Sequence, residues 1–92
     1  MVKKIYSVYD VKAKYHLNPI VMKEDAEALR AFADLANDKQ TMIGLHPEDF
    51  ELFYLGTFDD NSAEICVEKI PVFLGRAILY NLKKGGEDGD KS

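Results

Sequence analysis

The chain has 92 residues and a formal net charge of −4, with 16 acidic residues against 12 Lys and Arg. A chain of this length forms one domain and buries only about 60–65% of its unfolded surface, so association would add useful stability. The acidic balance disfavours a nonspecific grip on phosphates, although a local basic patch is compatible with it. The single cysteine excludes an internal disulfide, and we find no signal peptide or bilayer-spanning apolar run. We therefore expect a soluble intracellular protein.

The N-terminal third predicts an antiparallel hairpin. Lys4–Lys14 is rich in strand-forming residues, and Tyr15–Met22 resumes an extended pattern after a polar break. Pro19 lacks a backbone N–H, so it places the second strand at a sheet edge or marks a bulge.

A helix is predicted from Glu24 to about Asn37. Strong helix formers fill this segment, and its acidic first turn complements the helix dipole. Its apolar stripe consists of Leu29, Phe32, Ala33 and Ala36.

The strand Phe50–Phe58 is the most informative stretch because both of its faces are apolar. Alternation along a strand points Phe50, Leu52, Tyr54 and Phe58 one way, and Phe53 and Leu55 the other. We expect the helix residues Leu29, Phe32 and Ala36 to pack on Phe50, Leu52 and Tyr54. One small domain can hardly cover both faces, so something else or a partner subunit should cover the second. Gly56 is predicted to mark a bulge or a close backbone approach.

The C-terminal part begins with a turn at Asp59–Ala63 and a partner strand at Glu64–Lys69. Val72–Leu82, after Pro71, is either a short helix or an irregular extended segment, and we favour the helix. The predicted fold class is therefore α+β, an antiparallel β-β-α-β-β sheet with one helix packed on a face.

The domain organisation follows from composition. Residues 1–84 are predicted to form a single α+β domain, and the polar residues 85–92 a disordered acidic tail.

Three blocks, in this order and spacing, resemble the small nonstructural protein of gokushovirus-type microviruses, which are tailless single-stranded DNA phages. The blocks are Ile5–Asp10, Glu24–Asp34 and His46–Asp59, with Pro19 between the first two. The resemblance covers roughly Lys4 to Asp60. It implies a bacteriophage protein of the host cytoplasm, absent from the mature virion, that acts when the infected cell shifts from duplex replication to single-stranded DNA synthesis. It carries no catalytic residue over to this chain.

Catalytic and metal-binding chemistry finds little support in the residues. Cys66 alternates with apolar neighbours in a strand, which predicts a buried inert thiol, and Ser7 lacks a nearby His–acid pair in the sequence. The remaining metal-ligand types lack the short spacings of zinc or iron sites; they are His16, His46, Glu48 and Asp59. We predict a nonenzymatic protein with no catalytic residue, no metal and no cofactor.

Aromatic and cationic side chains alternate in the N-terminal hairpin, as they do in platforms that stack single-stranded bases and neutralise phosphates. The predicted nucleic-acid-binding residues are Lys3, Lys4, Tyr6, Tyr9, Lys12, Lys14 and Tyr15. The same pattern is typical of an exposed sheet edge, where Tyr favours strands and Lys prevents aggregation. Arg30 and Arg76 would extend a basic patch if the fold brought them close.

Two functional hypotheses result. The first is a factor of viral DNA replication that binds single-stranded DNA or replication proteins of host or phage. The second is a homodimeric protein–protein interaction module without nucleic-acid contact. Its predicted dimer interface is Val72, Phe73, Ile78 and Leu79, and the competing account folds this segment over its own sheet as a monomer. Neither hypothesis involves a membrane.

Overall fold

The computed structural model describes residues 1–82 and shows a five-stranded antiparallel sheet. The elements are β1 (Val2–Asp10), β2 (Tyr15–His16), β3 (Ile20–Met22), α1 (Asp25–Ala36), α2 (Met42–Leu45), β4 (Phe50–Asp59) and β5 (Ile65–Arg76), with 3-10 turns at Pro47–Asp49 and Ala77–Tyr80. The strand order is β2-β1-β4-β5, and β3 pairs with β1 on the same side as β2. The α+β class and the antiparallel sheet are therefore confirmed.

The exact order of elements differs from β-β-α-β-β. The predicted second strand is divided into β2 and β3 at Leu17–Pro19, because Pro19 has no N–H to donate, although the Leu17 N–H still donates to the Val8 carbonyl oxygen at 2.7 Å. The predicted connector after α1 contains the short helix α2, which Thr41 caps by accepting a hydrogen bond from the Gly44 N–H at 3.0 Å.

The predicted helix Val72–Leu82 is wrong for most of its length. β5 continues through Pro71 to Arg76, and only Ala77–Tyr80 forms a 3-10 turn. Phe73 lies opposite Phe53 of β4, so the sheet supplies backbone partners that a free segment would lack.

The core lies between the sheet and the helices. The buried cluster consists of Tyr6, Val8, Ala28, Phe32, Ala36, Ile43, Phe50, Leu52 and Ala77. The predicted packing is confirmed, since Phe32 and Ala36 lie in the same cluster as Phe50 and Leu52. Leu29 and Tyr54 pack at its margin.

The predicted irregularity at Gly56 is also confirmed. The register of β4 against both neighbouring strands shifts between Tyr54 and Gly56, which leaves Leu55 as the extra residue of a bulge. On β5 the shift is larger, because Tyr54 pairs with Val72 whereas Gly56 pairs with Val67. The distal part of the β4–β5 hairpin therefore leaves the core at this bulge.

The bulge also changes the face on which Phe58 lies. Simple alternation placed Phe58 with Phe50 and Leu52, but its register partners are Lys3 and Ile65, on the face opposite the helices. One extra residue in a strand reverses the alternation of every side chain beyond it, so this part of the prediction is wrong.

Tyr6 joins β1 to the start of α1. Its ring is fully buried, and its hydroxyl donates a 2.6 Å hydrogen bond to the Asp25 carboxylate. Burial, followed by the hydrogen bond and negative charge of Asp25, raises the pKa of Tyr6 above its ordinary value.

This pKa shift predicts alkaline sensitivity. Above pH about 10 the unfolded chain releases the Tyr6 proton while the folded chain keeps it, so the free energy of unfolding should fall by up to about 1.4 kcal/mol per pH unit. Urea unfolding of wild type and Tyr6→Phe between pH 8 and 11 measures the effect. The variant should lack this part of the slope, and equal slopes would contradict the assignment.

The predicted tail, residues 85–92, lies outside the described residues. Within residues 1–82 none of the helices is long and apolar enough to cross a membrane.

Candidate nucleic-acid interface on the open sheet face

The sheet has one covered face and one open face. Within residues 1–82, the helical residues of the core join Tyr6 and Val8 of β1 and Phe50 and Leu52 of β4, so the helices pack on one face. Alternate strand residues point to the opposite side, which we call the open face. Cross-strand register assigns to it Lys3, Ile5, Ser7, Tyr9, His16, Val21, Glu51, Phe53, Phe58, Ile65, Val67, Phe73 and Arg76.

Four rings cross the open face from β2 to β5, and we call them the aromatic row. Their order is His16, Tyr9, Phe53 and Phe73. Successive ring centroids are 4.8, 6.4 and 5.7 Å apart, and the planes are tilted or edge-on to one another. His16 also lies 5.5 Å from Phe53. The edges of the row are accessible, since His16 and Phe73 are exposed.

Ser7 lies beneath the aromatic row. Its hydroxyl oxygen is 2.6 Å from Nδ1 of His16, and the residue is only 1% exposed. The fold thus gives Ser7 a His neighbour that it lacks in the sequence. Among the described residues no carboxylate is hydrogen-bonded to the other nitrogen of His16, and the buried hydroxyl is closed to a substrate. The pair therefore orients the His16 ring within the row.

The predicted nucleic-acid-binding residues are divided between locations. Tyr6 is completely buried on the helix face and is unable to stack on a base, which corrects its place in the predicted set. Tyr15 pairs with Asp10 and shares the helix face, although it is 57% exposed. Tyr9 lies in the aromatic row, whereas Lys12 and Lys14 are exposed in the turn between β1 and β2.

Several cations near the sheet already have carboxylate partners. Nζ of Lys3 lies 3.5 Å from Oδ2 of Asp60. On the helix face, Nζ of Lys4 lies 3.6 Å from Oδ1 of Asp25. Arg76 donates to Glu51 at 2.7 Å beside the aromatic row. The Arg76 side chain is 49% exposed and its guanidinium carries five donors, so it is able to contact a phosphate while Nη2 still donates to Glu51. Arg30 lies on α1, on the helix side of the sheet, and does not extend this patch.

The predicted dimer residues do not share one surface. Phe73 lies on the open face, whereas Val72 pairs with Tyr54 on the helix face. Ile78 and Leu79 lie in the 3-10 turn whose Ala77 joins the core beneath α1. Sequence reasoning missed His16 and Phe53 as site residues and assigned Phe73 only to the dimer interface, because register alone aligns these rings. The second apolar face of Phe50–Phe58 was the available signal.

Two other chemical features differ from expectation. Cys66 is exposed, so the prediction of a buried thiol is wrong; it lies on the distal part of β5, which the helices do not reach. His46, Glu48 and Asp49 each bring one ligand atom within 4.8 Å of the others, and sequence reasoning missed Asp49 as a member of this group. His46 and Glu48 are exposed, as expected for a solvated turn, and we assign no metal to the group.

The fold defines a small α+β protein in which one face of the sheet packs on the helices and the other face stays open. The chain belongs to the phage ORF5 protein family, which matches residues 3–80. Protein ORF5 of Chlamydia phage 1 is 34% identical over 80 residues, which cover 83% of this chain and 79% of the phage protein. These matches confirm the resemblance to the gokushovirus-type microvirus protein. No solved structure matches the chain.

Proposed function

We propose that this protein is a nonenzymatic factor of microvirus DNA metabolism that binds single-stranded DNA on the open face. The aromatic row carries the proposal. Base–aromatic stacking contributes about 1–3 kcal/mol per base and tolerates any sequence, because every base has a π face. Family membership supports a phage setting, and the resemblance to gokushovirus-type microviruses implies that the phage has a single-stranded DNA genome.

The positions of the charged side chains around the aromatic row support a DNA contact that involves only a few phosphates. The turn that joins β1 to β2 holds Lys12 and Lys14 at one end of the row, and Arg76 lies near its other end. The net charge of −4 disfavours nonspecific phosphate binding by the molecule as a whole. We therefore expect few phosphate contacts, with a shallow dependence of affinity on salt of about 0.7 log units per contact.

A matched pair of aromatic substitutions tests the row. Phe73→Ala should weaken binding of a fluorescent oligothymidylate by about 5- to 150-fold, the equivalent of one lost stack, in anisotropy titrations. Tyr15→Ala is the control, because Tyr15 is exposed to a similar extent, 57% against 53%, but lies on the other face. Equal losses in both variants, or none in either, would contradict stacking on the row.

A second set of substitutions tests the cations. Lys14→Ala should reduce the salt slope by about 0.7, whereas Lys23→Ala, at the start of α1, should leave it unchanged. An unchanged slope for Lys14→Ala would remove the β1–β2 turn from the interface.

The homodimeric interaction module is the second candidate. One observation favours it: the open face also carries exposed aliphatic side chains, with Val21 47%, Ile65 60% and Val67 72% exposed. Aliphatic groups neither stack well on bases nor attract phosphates, so DNA binding by the aromatic row does not explain why these side chains are exposed.

A further inference from the structure

We propose that the open face of one chain packs on the open face of a second copy, sheet against sheet, in a two-fold homodimer. Val21, Ile65 and Val67 lie on this face beside the buried Ile5 and the half-buried Phe58. Such a continuous apolar surface exceeds the scattered hydrophobic exposure that is normal for a monomer. It extends the aromatic row toward the distal end of the sheet.

Within residues 1–82, no described element covers this surface. The described helices pack on the opposite face. Residues 83–92 contain no apolar side chain, so their composition does not supply a hydrophobic cover. We therefore assign the occupant to another molecule.

The charge pattern suits a second copy of the chain. The charged side chains assigned to the open face are Lys3, Glu51 and Arg76, and each has an ion-pair partner within the chain. Two such faces can meet without burying an unpaired charge, which would be costly. Because a two-fold axis brings identical patches together, each apolar face supplies the complement of the other.

The size of the face is sufficient for a weak dimer. Four strands about 4.8 Å apart and about 30 Å long give a footprint of roughly 600 Å², against about 800 Å² per partner in a standard interface. Aligned sheets pack about 10 Å apart, with the side chains of both inner faces interdigitated. We expect a dissociation constant of the order of 1–100 μM, below the affinity of obligate dimers.

The dimer has a consequence for the proposed DNA contact. A second copy covers the aromatic row, so dimerisation and single-stranded DNA compete for the same rings. This competition rests on the proposed function, whereas the dimer does not. Oligonucleotide binding should therefore release monomers, because a ligand that binds only the monomer shifts the equilibrium toward it.

Sedimentation equilibrium of the full chain from 1 to 300 μM tests the dimer. Wild type should rise from 10.4 kDa toward twice that mass. Val67→Asp should weaken association at least 10-fold, because it places an unpaired charge in the apolar contact. Met42→Asp is the matched control, since Met42 is 60% exposed on α2, away from the open face, and should associate as wild type does.

Three outcomes would overturn the dimer: a constant mass of 10.4 kDa, a dimer that Val67→Asp leaves intact, and an equal loss in Met42→Asp. An oligothymidylate complex that retains the full dimer mass would overturn the competition with DNA and leave the dimer standing. A dimer lost in Leu79→Asp but not in Val67→Asp would assign the contact to the 3-10 turn instead. If neither wild type nor any variant binds oligothymidylate, the DNA proposal alone is refuted. Sedimentation without DNA then still shows whether the dimer forms.

Discussion

Phe32→Ala should lower the free energy of unfolding by about 3–5 kcal/mol, a large part of the stability of a domain this small. Phe32 is 2% exposed, and its ring lies 6.2 Å from that of Tyr80 and in the same cluster as Phe50 and Leu52. Removal of the ring leaves a cavity between α1 and the sheet that neither element can close. Urea unfolding followed by far-UV circular dichroism measures the change.

Leu35→Ala is the control for this substitution. Leu35 lies on the same helix and is 38% exposed, and both substitutions introduce Ala, the best helix former. We expect a loss below about 1 kcal/mol, since a largely exposed position leaves little cavity. Similar losses at both positions would show that α1 does not pack through Phe32.

Gly56→Ala should lower the free energy of unfolding by about 3 kcal/mol through overpacking. An added Cβ would overlap the backbone carbonyl oxygen of Cys66 and lie 2.8 Å from the Cα of Val67. Gly56 has no positive φ, so the cost comes from lost space between β4 and β5 and not from backbone conformation. Because backbone atoms are unable to rotate away, the two strands must separate at the bulge.

Gly75→Ala distinguishes backbone from side-chain crowding. There an added Cβ would lie 2.9 Å from the hydroxyl oxygen of Tyr80, at the far end of a side chain that can shift. We expect a smaller loss than for Gly56→Ala, measured by the same urea titration. If Gly75→Ala were the more damaging change, the close approach of β4 and β5 would not be the tightest point of this sheet.

The bulge divides the β4–β5 hairpin into a part that packs in the core and a part that stays exposed. Before it, β4 supplies Phe50 and Leu52 to the core; beyond it, Ile65 and Val67 of β5 stay exposed. Gly56→Ala is therefore expected to reduce self-association as well as stability, because it disturbs the surface that carries Val67. The face proposed for association and the face that packs on the helices are thus coupled through this one position.

The sequence by itself determined the elements whose signal is local. The apolar stripe of α1 and the alternation of Phe50–Tyr54 each repeat at the period of their own secondary structure, so helix, strand and their mutual packing could be predicted. The two apolar faces of that strand also predicted that something besides the helix, or a partner subunit, would cover the second face. Gly56 was informative because an isolated glycine in the middle of a strand usually marks a bulge or a close backbone approach.

The tertiary structure decided what depends on pairing between distant residues. Val72–Arg76 became strand because β4 offered an unpaired edge, which outweighs the weak local preference of a segment containing Gly75. Register alone aligned His16, Tyr9, Phe53 and Phe73, which come from four strands. The same register buried Tyr6 and left Tyr9 accessible, although they stand three residues apart in one strand, because a side chain's exposure depends on which sheet face the helices cover.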